Sequence, residues 1–322
     1  MEACSQKGKW IDKMKKAYCV FDNFSKEAQG IIRSAGIDLT INPNKDKPIG
    51  DELIPVLQEY DILIIGIFSK LTSDMIKFID KPKIIASLSI GLDHIDKAFF
   101  ESPLVTIVNI KYANAISVAE HIFGLTLALN KRIYESNDLV LQGKGHRSNV
   151  CRPDDIFGKT LGLIGAGTIT KEVIKIAQIF NMSIKCFTKN PSNHSDLKNY
   201  GVEFLSLEEV LKQSDIINVS IPLNDETRNL ISKEKIELIK PTATFINTSR
   251  TEVVDTNALI EYADKHETFY VGLDIDLDDY KDLFSKYRKN VIVTPHTAGI
   301  SKQAIDRMYL EIANKIAMQK VF

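Results

Sequence analysis

The chain has little cysteine, no long apolar run and almost no net charge, and each shortage removes a class of function. Only four cysteines occur in 322 residues, Cys4, Cys19, Cys151 and Cys186, and none shares a C-x-x-C spacing. They read as free thiols of a reducing compartment, not as a disulfide framework or a zinc cluster, so a cytoplasmic protein is expected. The longest apolar run, ILIIGIF at 62–68, falls far short of the roughly 20 residues that span a bilayer. The opening MEACSQKGKWIDKMKK is basic but holds no apolar core of the kind a secretory signal carries. Lys and Arg number 41 against 42 Asp and Glu, and the lysines are scattered, so neither a nucleic acid nor a membrane surface is an expected partner.

What remains is the composition of an ordinary globular protein, 44% hydrophobic and 26% charged, with a length that suits two domains. Short β-branched runs alternate with helical patterns. KAYCVF, IDLTIN, DILIIGI and KIIASLS come first. One long helical stretch follows over 117–141, and then seven more runs, TLGLIGA, SIKCFT, VEFL, DIINVSI, TATFINT, YVGLDI and VIVTP. Strands covered by helices on both faces read as continuous apolar runs, and this alternation predicts doubly wound parallel sheets. Two α/β domains joined by the long helix are expected, with the final helix, KQAIDRMYLEIANKIAMQK, free to return to the first.

The stretch LGLIGAGTIT at 161–170 carries two glycines of the G-x-G-x-x-G dinucleotide pattern, with Thr170 in the third place. Gly165 permits the tight turn after the strand, Gly167 lets backbone approach a pyrophosphate, and the helix starting near Thr168 aims its N–H groups at it. The third glycine serves helix–strand packing, so Thr170 is expected to push the helix slightly outward without abolishing phosphate binding. The next strand ends on Thr188 and Lys189 instead of an acidic residue. With a lysine to attract a 2′-phosphate and no carboxylate to repel it, NADP is favoured over NAD.

Three later segments place reactive side chains at the carboxyl ends of strands, where doubly wound sheets bind ligands. They are Arg250 in FINTSRTEVVD, Asp274 in VGLDIDLDD and His296 in VIVTPHTAG. Together with SIGLDHID (89–96), NAISVAEHIFGLTLAL (114–129) and SDIINVSIPLNDETRNLI (214–231), these motifs occur in the order found in the D-isomer-specific 2-hydroxyacid dehydrogenases, and the chain resembles that family over nearly its whole length.

The resemblance implies a flavodoxin-like substrate domain over 1–116 plus 298–322 and a Rossmann cofactor domain over 117–297. It implies hydride transfer between NAD(P) and a small 2-ketoacid or D-2-hydroxyacid, and a homodimer. His296 would be the general acid/base and Arg250 would bind the substrate carboxylate and carbonyl. Backbone around Ser89, Ile90 and Gly91 would grip the carboxylate. Cofactor contacts would come from Gly165, Gly167, Thr168, Ile169, Thr188, Lys189, Ile221, Pro222, Thr248, Ser249 and Asp274. The family's acidic partner of the histidine falls on Asp279, where glutamate is usual, and the crowded DIDLDDYKD leaves Asp276 and Asp278 open for that role.

Thr251, where the family has glycine, is a second departure. Both departures, with Thr170, leave open an inactive NAD(P)-binding module of the corepressor kind, against which the retained Arg250 and His296 argue. Gly66 and Phe68 stand where phosphoglycerate dehydrogenases carry arginines, so the expected substrate lacks phosphate, although Lys70 and Lys111 stand against that. No metal site is expected. His94, His121, His146, His194 and His266 show no ligand spacing, and the acidic run lacks the glycine and terminal glutamate of a calcium loop. His121, inside the helical stretch, reads as a packing residue.

Overall fold

The computed structural model describes residues 14–146, 152–275, 283 and 288–319. The chain divides into two units, Met1–Ile110 with Asp306–Phe322, and Lys111–Ile305.

The first unit is built on β1 (Lys15–Cys19), α1 (Lys26–Ser34), β2 (Ile37–Ile41), α2 (Ile54–Glu59), β3 (Ile62–Ile65), β4 (Lys83–Ser87), α3 (Lys97–Glu101) and β5 (Val105–Asn109). All pairings are parallel, in the order β2-β1-β3-β4-β5. That is the flavodoxin-like order, which reverses direction between β1 and β3. The central strands β3 and β4 are buried at every residue, as continuous apolar runs require. α1 begins where the Ser25 hydroxyl accepts the Ala28 N–H, and it buries Ala28 and Ile32 on the sheet. β5 was not anticipated: its sequence, VTIVN, interleaves Thr and Asn with the apolar positions, and as an edge strand it is buried at Val108 alone.

The second unit begins with α4 (Ala115–Asn130) and α5 (Ile133–Leu141), where a single helix was expected. The break falls at Arg132, which takes a left-handed backbone with φ 51°. Its buried guanidinium pairs with Glu135 and donates to the Tyr270 hydroxyl at 2.7 Å.

The remaining elements are β6 (Thr160–Ile164), α6 (Thr168–Ile179), β7 (Ser183–Phe187), β8 (Glu203–Phe204), α7 (Leu207–Gln213), β9 (Ile216–Val219), α8 (Lys233–Ile236), β10 (Thr244–Asn247), α9 (Thr256–Lys265), β11 (Tyr270–Asp274) and β12 (Val291–Thr294). A last helix, α10 (Lys302–Met318), runs into the first unit from Asp306 onward. The seven anticipated runs form one parallel seven-stranded sheet, β12-β11-β10-β9-β6-β7-β8. This is the Rossmann order extended by one strand, with its switch point between β6 and β9.

Helices α4 and α6 cover one face of this sheet through Val118, Ile122, Leu125, Val173 and Ile174. Helices α7, α8 and α9 cover the other through Val210, Leu211, Ile236, Leu259 and Ile260. At Gly272 a Cβ would meet Ile246 Cδ1 at 2.7 Å and Leu125 Cβ at 3.2 Å, so α4 lies directly on β11. The buried Asn130 at the end of α4 donates from Nδ2 to Thr244 Oγ1 at 2.9 Å, joining the helix to the first residue of β10. Among the described residues no helix is long and apolar enough to cross a membrane.

Candidate active site

Parallel strands put all their carboxyl ends on one edge, and the register of the second sheet makes those ends level. Phe187, Ile164, Val219, Asn247, Leu273 and Val293 are paired across the sheet. The next residue along each strand therefore falls in one row: Thr188, Gly165, Ser220, Thr248, Asp274 and Thr294. From β7 to β12 the row takes five strand-to-strand steps, about 24 Å. Lys189 stands at one end, the glycine turn one strand in from it, Thr248, Ser249 and Arg250 further on, and Asp274 and His296 at the other end. An extended dinucleotide laid along this edge meets a basic residue first, helix N–H groups next and the titratable pair last.

At the turn, Gly165 has φ 110°, and a Cβ there would collide with the Ser220 carbonyl oxygen and with Ile221 Cγ2, so glycine is required. Gly167 differs. Its backbone is open to any residue, and nothing lies within 4 Å of where its Cβ would be. Gly167 also caps α6 without any side-chain hydrogen bond. The first-turn N–H groups of Thr168 and Ile169 donate to no described residue, which suits a pyrophosphate.

Thr168 donates its hydroxyl to the Lys111 carbonyl at 3.0 Å, and Ile169 packs on the core. Thr170 is accommodated inside the packing of the helix on the turn. It is fully buried, and its hydroxyl donates to the Gly165 carbonyl at 3.0 Å, tying α6 to the turn. Beneath the turn, burial holds the Cys186 thiol up at about 12, and in the first unit burial does the same to Cys19 on β1, so neither is a nucleophile near neutral pH. Cys4 and Cys151 lie outside the described residues.

Lys189 is exposed, with its Nζ at 2.7 and 2.6 Å from the two carboxylate oxygens of Glu226. The end of β7 alone shows no carboxylate, but the fold brings one from the segment after β9. Ile221 leans over Gly165, and the Pro222 carbonyl accepts the Thr227 hydroxyl at 2.7 Å. Thr248 Oγ1 is buried without a hydrogen-bond partner; an orphan of this kind is costly unless a ligand meets it.

Asn247, which the motif reading passed over, organises the next turn. Its Oδ1 accepts both the N–H and the hydroxyl of Ser249, and its Nδ2 donates to the Arg250 carbonyl at 2.9 Å. Arg250 is half-buried and one of its guanidinium nitrogens donates to the Ser249 carbonyl.

The densest polar cluster surrounds Asp274, which is wholly buried. Its Oδ1 accepts the Thr294 hydroxyl at 2.6 Å and the Thr297 N–H at 2.8 Å, and its Oδ2 accepts the Ala298 N–H at 2.8 Å. A carboxylate has about four lone-pair sites, so one is left for a ligand. These bonds clamp both sides of His296, whose φ is 52°. A left-handed backbone at a residue other than glycine costs about 1–3 kcal/mol and persists only where its surroundings impose it, which is typical of active sites.

His121 joins the cluster and is more than packing. Thr294 has one hydroxyl proton, which goes to Asp274, so His121 Nε2, 2.9 Å from that hydroxyl, is the donor to it. An i, i+4 or strand-end pattern could not have revealed this, because α4 and β12 meet only in the fold. Asp279, Asp276 and Asp278 lie outside the described residues.

The first unit, taken by itself, carries a candidate loop after β4. Ser89 Oγ donates to the Gly91 carbonyl at 2.7 Å, and Asn109 Nδ2 donates to the carbonyls of Ile90 at 3.0 Å and Ser89 at 3.4 Å. All three carbonyls are therefore held from the protein side. In a trans peptide the following N–H points the opposite way, and the N–H groups of Ile90, Gly91 and Leu92 donate to no described residue. Three neighbouring backbone donors are thus left without an acceptor among the described residues, the kind of group that can receive an anion. Lys315 Nζ, from α10, holds the Asn109 carbonyl at 2.7 Å. After β3, Phe68 is exposed, and Lys47 Nζ lies 4.6 Å from its ring.

Comparison with known proteins adds identities to this geometry. The family described as D-isomer specific 2-hydroxyacid dehydrogenase, NAD binding domain, matches residues 123–298. A hydroxypyruvate reductase of Thermotoga maritima is 33% identical over 271 residues, covering 83% of this chain and 87% of the relative. A glyoxylate reductase of Thermococcus litoralis is 32% identical over 277 residues, 83% of each chain. Among solved structures, an acyclic imino acid reductase in complex with NADPH and D-Arg superposes with a TM-score of 0.82 at 28% identity, covering 92% of this chain and 94% of the other. D-Lactate dehydrogenase from Aquifex aeolicus, complexed with NAD and lactic acid, gives 0.77 at 27% identity and 94% of each chain.

Proposed function

Because the chain belongs to the D-isomer specific 2-hydroxyacid dehydrogenase family, we propose that it reduces a short, unphosphorylated 2-ketoacid of the glyoxylate or hydroxypyruvate kind to its D-2-hydroxyacid. The observation that carries this reading is the His296 turn, clamped on both sides by a buried carboxylate and held in a strained conformation in one row with Arg250 and the glycine turn.

The nicotinamide, when bound, supplies the hydride for the keto carbon. The first-turn N–H groups of α6 would hold the pyrophosphate of the dinucleotide, and Thr248 Oγ1, buried without a partner, would hydrogen-bond the cofactor. Arg250 orients the substrate carboxylate and carbonyl with its planar, always-charged guanidinium. Within the first unit, the Ile90–Leu92 N–H groups would receive a substrate carboxylate. His296 gives its ring proton to the carbonyl oxygen as negative charge develops there, and takes it back in the oxidative direction; imidazole is the side chain suited to that exchange near neutral pH. The loop after β3 has Gly66 and Phe68 and no arginine, which supports a substrate without phosphate.

The test is oxidation of NADH and NADPH with glyoxylate, hydroxypyruvate, pyruvate and 3-phosphohydroxypyruvate. Turnover with at least one of the first three is expected, and cofactor binding without any turnover would instead favour the binding-module alternative. Lys189 supports NADPH, whereas Glu226 beside it favours NADH. An exposed ion pair is worth only about 0–1 kcal/mol, so a 2′-phosphate can displace Glu226 from Lys189. Lys189→Ala is therefore expected to lower the NADPH-to-NADH ratio of kcat/KM by about 10- to 100-fold, the loss of one charge-assisted hydrogen bond. An unchanged ratio would remove Lys189 from the cofactor site.

A homodimer completes the reading. Helix α5 and the segment before β6 expose Ile133, Tyr134, Val140, Leu141 and Phe157, an apolar group that a second copy would cover. Sedimentation velocity should give a dimer for the native chain and a monomer for the double variant Val140→Asp, Leu141→Asp. A native monomer at micromolar concentration would contradict this.

A further inference from the structure

We propose that His94 is a positioning residue for the substrate: through Ser87 and Ser89 its Nε2–H fixes the loop whose backbone receives the carboxylate. The proposal rests on the reading of Ile90–Leu92 as the carboxylate grip.

His94, Ser87 and Ser89 are all buried. His94 Nε2 lies 3.0 Å from Ser87 Oγ, Ser87 Oγ lies 2.7 Å from Ser89 Oγ, and Ser89 Oγ lies 2.7 Å from the Gly91 carbonyl. Distances alone leave the direction of each bond open, but the protons do not. A carbonyl only accepts, so the single hydroxyl proton of Ser89 goes to Gly91. Ser89 must then accept from Ser87, which uses the single proton of Ser87. Ser87 must in turn accept from His94, so Nε2 carries a proton. The relay runs one way, from His94 Nε2–H to Ser87, to Ser89, to the Gly91 carbonyl.

The backbone at its origin is also fixed. Leu71 N–H donates to the His94 carbonyl at 2.9 Å, and Leu71 bridges Ile95. The ring is thus aimed by β-type pairing on one side and by the end of β4 on the other. At the far end of the relay, holding the Gly91 carbonyl inward presents the Leu92 N–H outward. A buried hydrogen-bonded chain rigidifies the groups it links. Without the His94 donor, Ser87 can turn its proton elsewhere, Ser89 can follow, and the Gly91 peptide loses the Ser89 hydroxyl donor.

The experiment compares His94→Phe, which keeps a flat ring without the donor, with His94→Gln, which restores an N–H at similar reach. His94→Phe is expected to raise KM for the ketoacid by about 5- to 30-fold, leaving kcat and KM for the cofactor within twofold, and His94→Gln is expected to recover most of the loss. An unchanged ketoacid KM overturns the proposal. So does a parallel change in all three constants that Gln does not rescue, since a merely structural role predicts that.

Two measurements stand apart from turnover. Long-range 1H–15N spectra of the native protein should show His94 protonated at Nε2, and a ring protonated at Nδ1 alone overturns the relay even if both variants fail to fold. Oxamate, a carboxylate that is not reduced, should shift the Ile90, Gly91 and Leu92 amide signals, more weakly in His94→Phe. If oxamate does so while no ketoacid is reduced, the relay stands and the reaction assigned above falls. If ketoacids are reduced while His94→Phe behaves as the native protein, the reverse holds.

Discussion

His296→Asn is expected to lower kcat for ketoacid reduction by about 10²- to 10⁴-fold, the usual contribution of a positioned general acid. Asparagine is the informative replacement because it tolerates a left-handed backbone better than other residues. The φ of 52° at this position is then kept, and the loss is one of proton transfer and not of turn geometry. Cofactor binding, followed by quenching or enhancement of dinucleotide fluorescence, should stay near that of the native protein, and so should the thermal midpoint. A kcat within threefold of the native value would exclude His296 as the acid and reopen the binding-module reading.

The second large effect concerns Asp274, and it separates holding a turn from touching a ligand. Asp274→Asn keeps shape and size but has one oxygen where the native residue has two. The Thr297 and Ala298 N–H groups and the Thr294 hydroxyl converge on both carboxylate oxygens, so one backbone donor must face the amide NH₂. Leaving a buried donor unpaired and losing charge assistance costs about 2–3 kcal/mol. For a unit of this size that lowers the thermal midpoint by about 4–12 °C. Because the bonds lost are those flanking His296, kcat should also fall by about 10²-fold, as displacements near 1 Å do. Calorimetry and steady-state kinetics on the same preparation check both. A midpoint shift with native kcat would show that the clamp is structural only, and a kcat loss with native stability would assign Asp274 to direct ligand contact.

The sheets were largely readable from the chain because apolar runs buried on both faces leave a local signal. The second sheet's seven runs and the glycine turn are visible in any window of that segment. β5 escaped because its Thr and Asn break the run, and the α4–α5 break escaped because it depends on Arg132 reaching Tyr270, which is 138 residues away. The same limit applies to the site. Strand-end residues such as Arg250, Asp274 and His296 could be named from motif order. Glu226 beside Lys189, His121 under Thr294 and Asn109 behind the Ser89 loop could not, since each pairing joins segments that only the tertiary structure brings together. At Thr170 the motif suggests only steric excess, whereas the structure also gives its hydroxyl a bond to the Gly165 carbonyl.

The bond between Asn130 and Thr244 has a bearing on how the chain reaches this arrangement. β10 is buried at all four residues, so it carries no alternation of polar and apolar positions by which a slipped pairing would be penalised. A shift by one residue would carry Arg250 about 3.3 Å along the strand direction and turn Thr248 to the opposite face. The amide of Asn130, at the end of the strand remote from the chemistry, recognises Thr244 and none of the apolar residues beside it. Alignment of the row of strand-end residues is thus proofread from the back of the sheet.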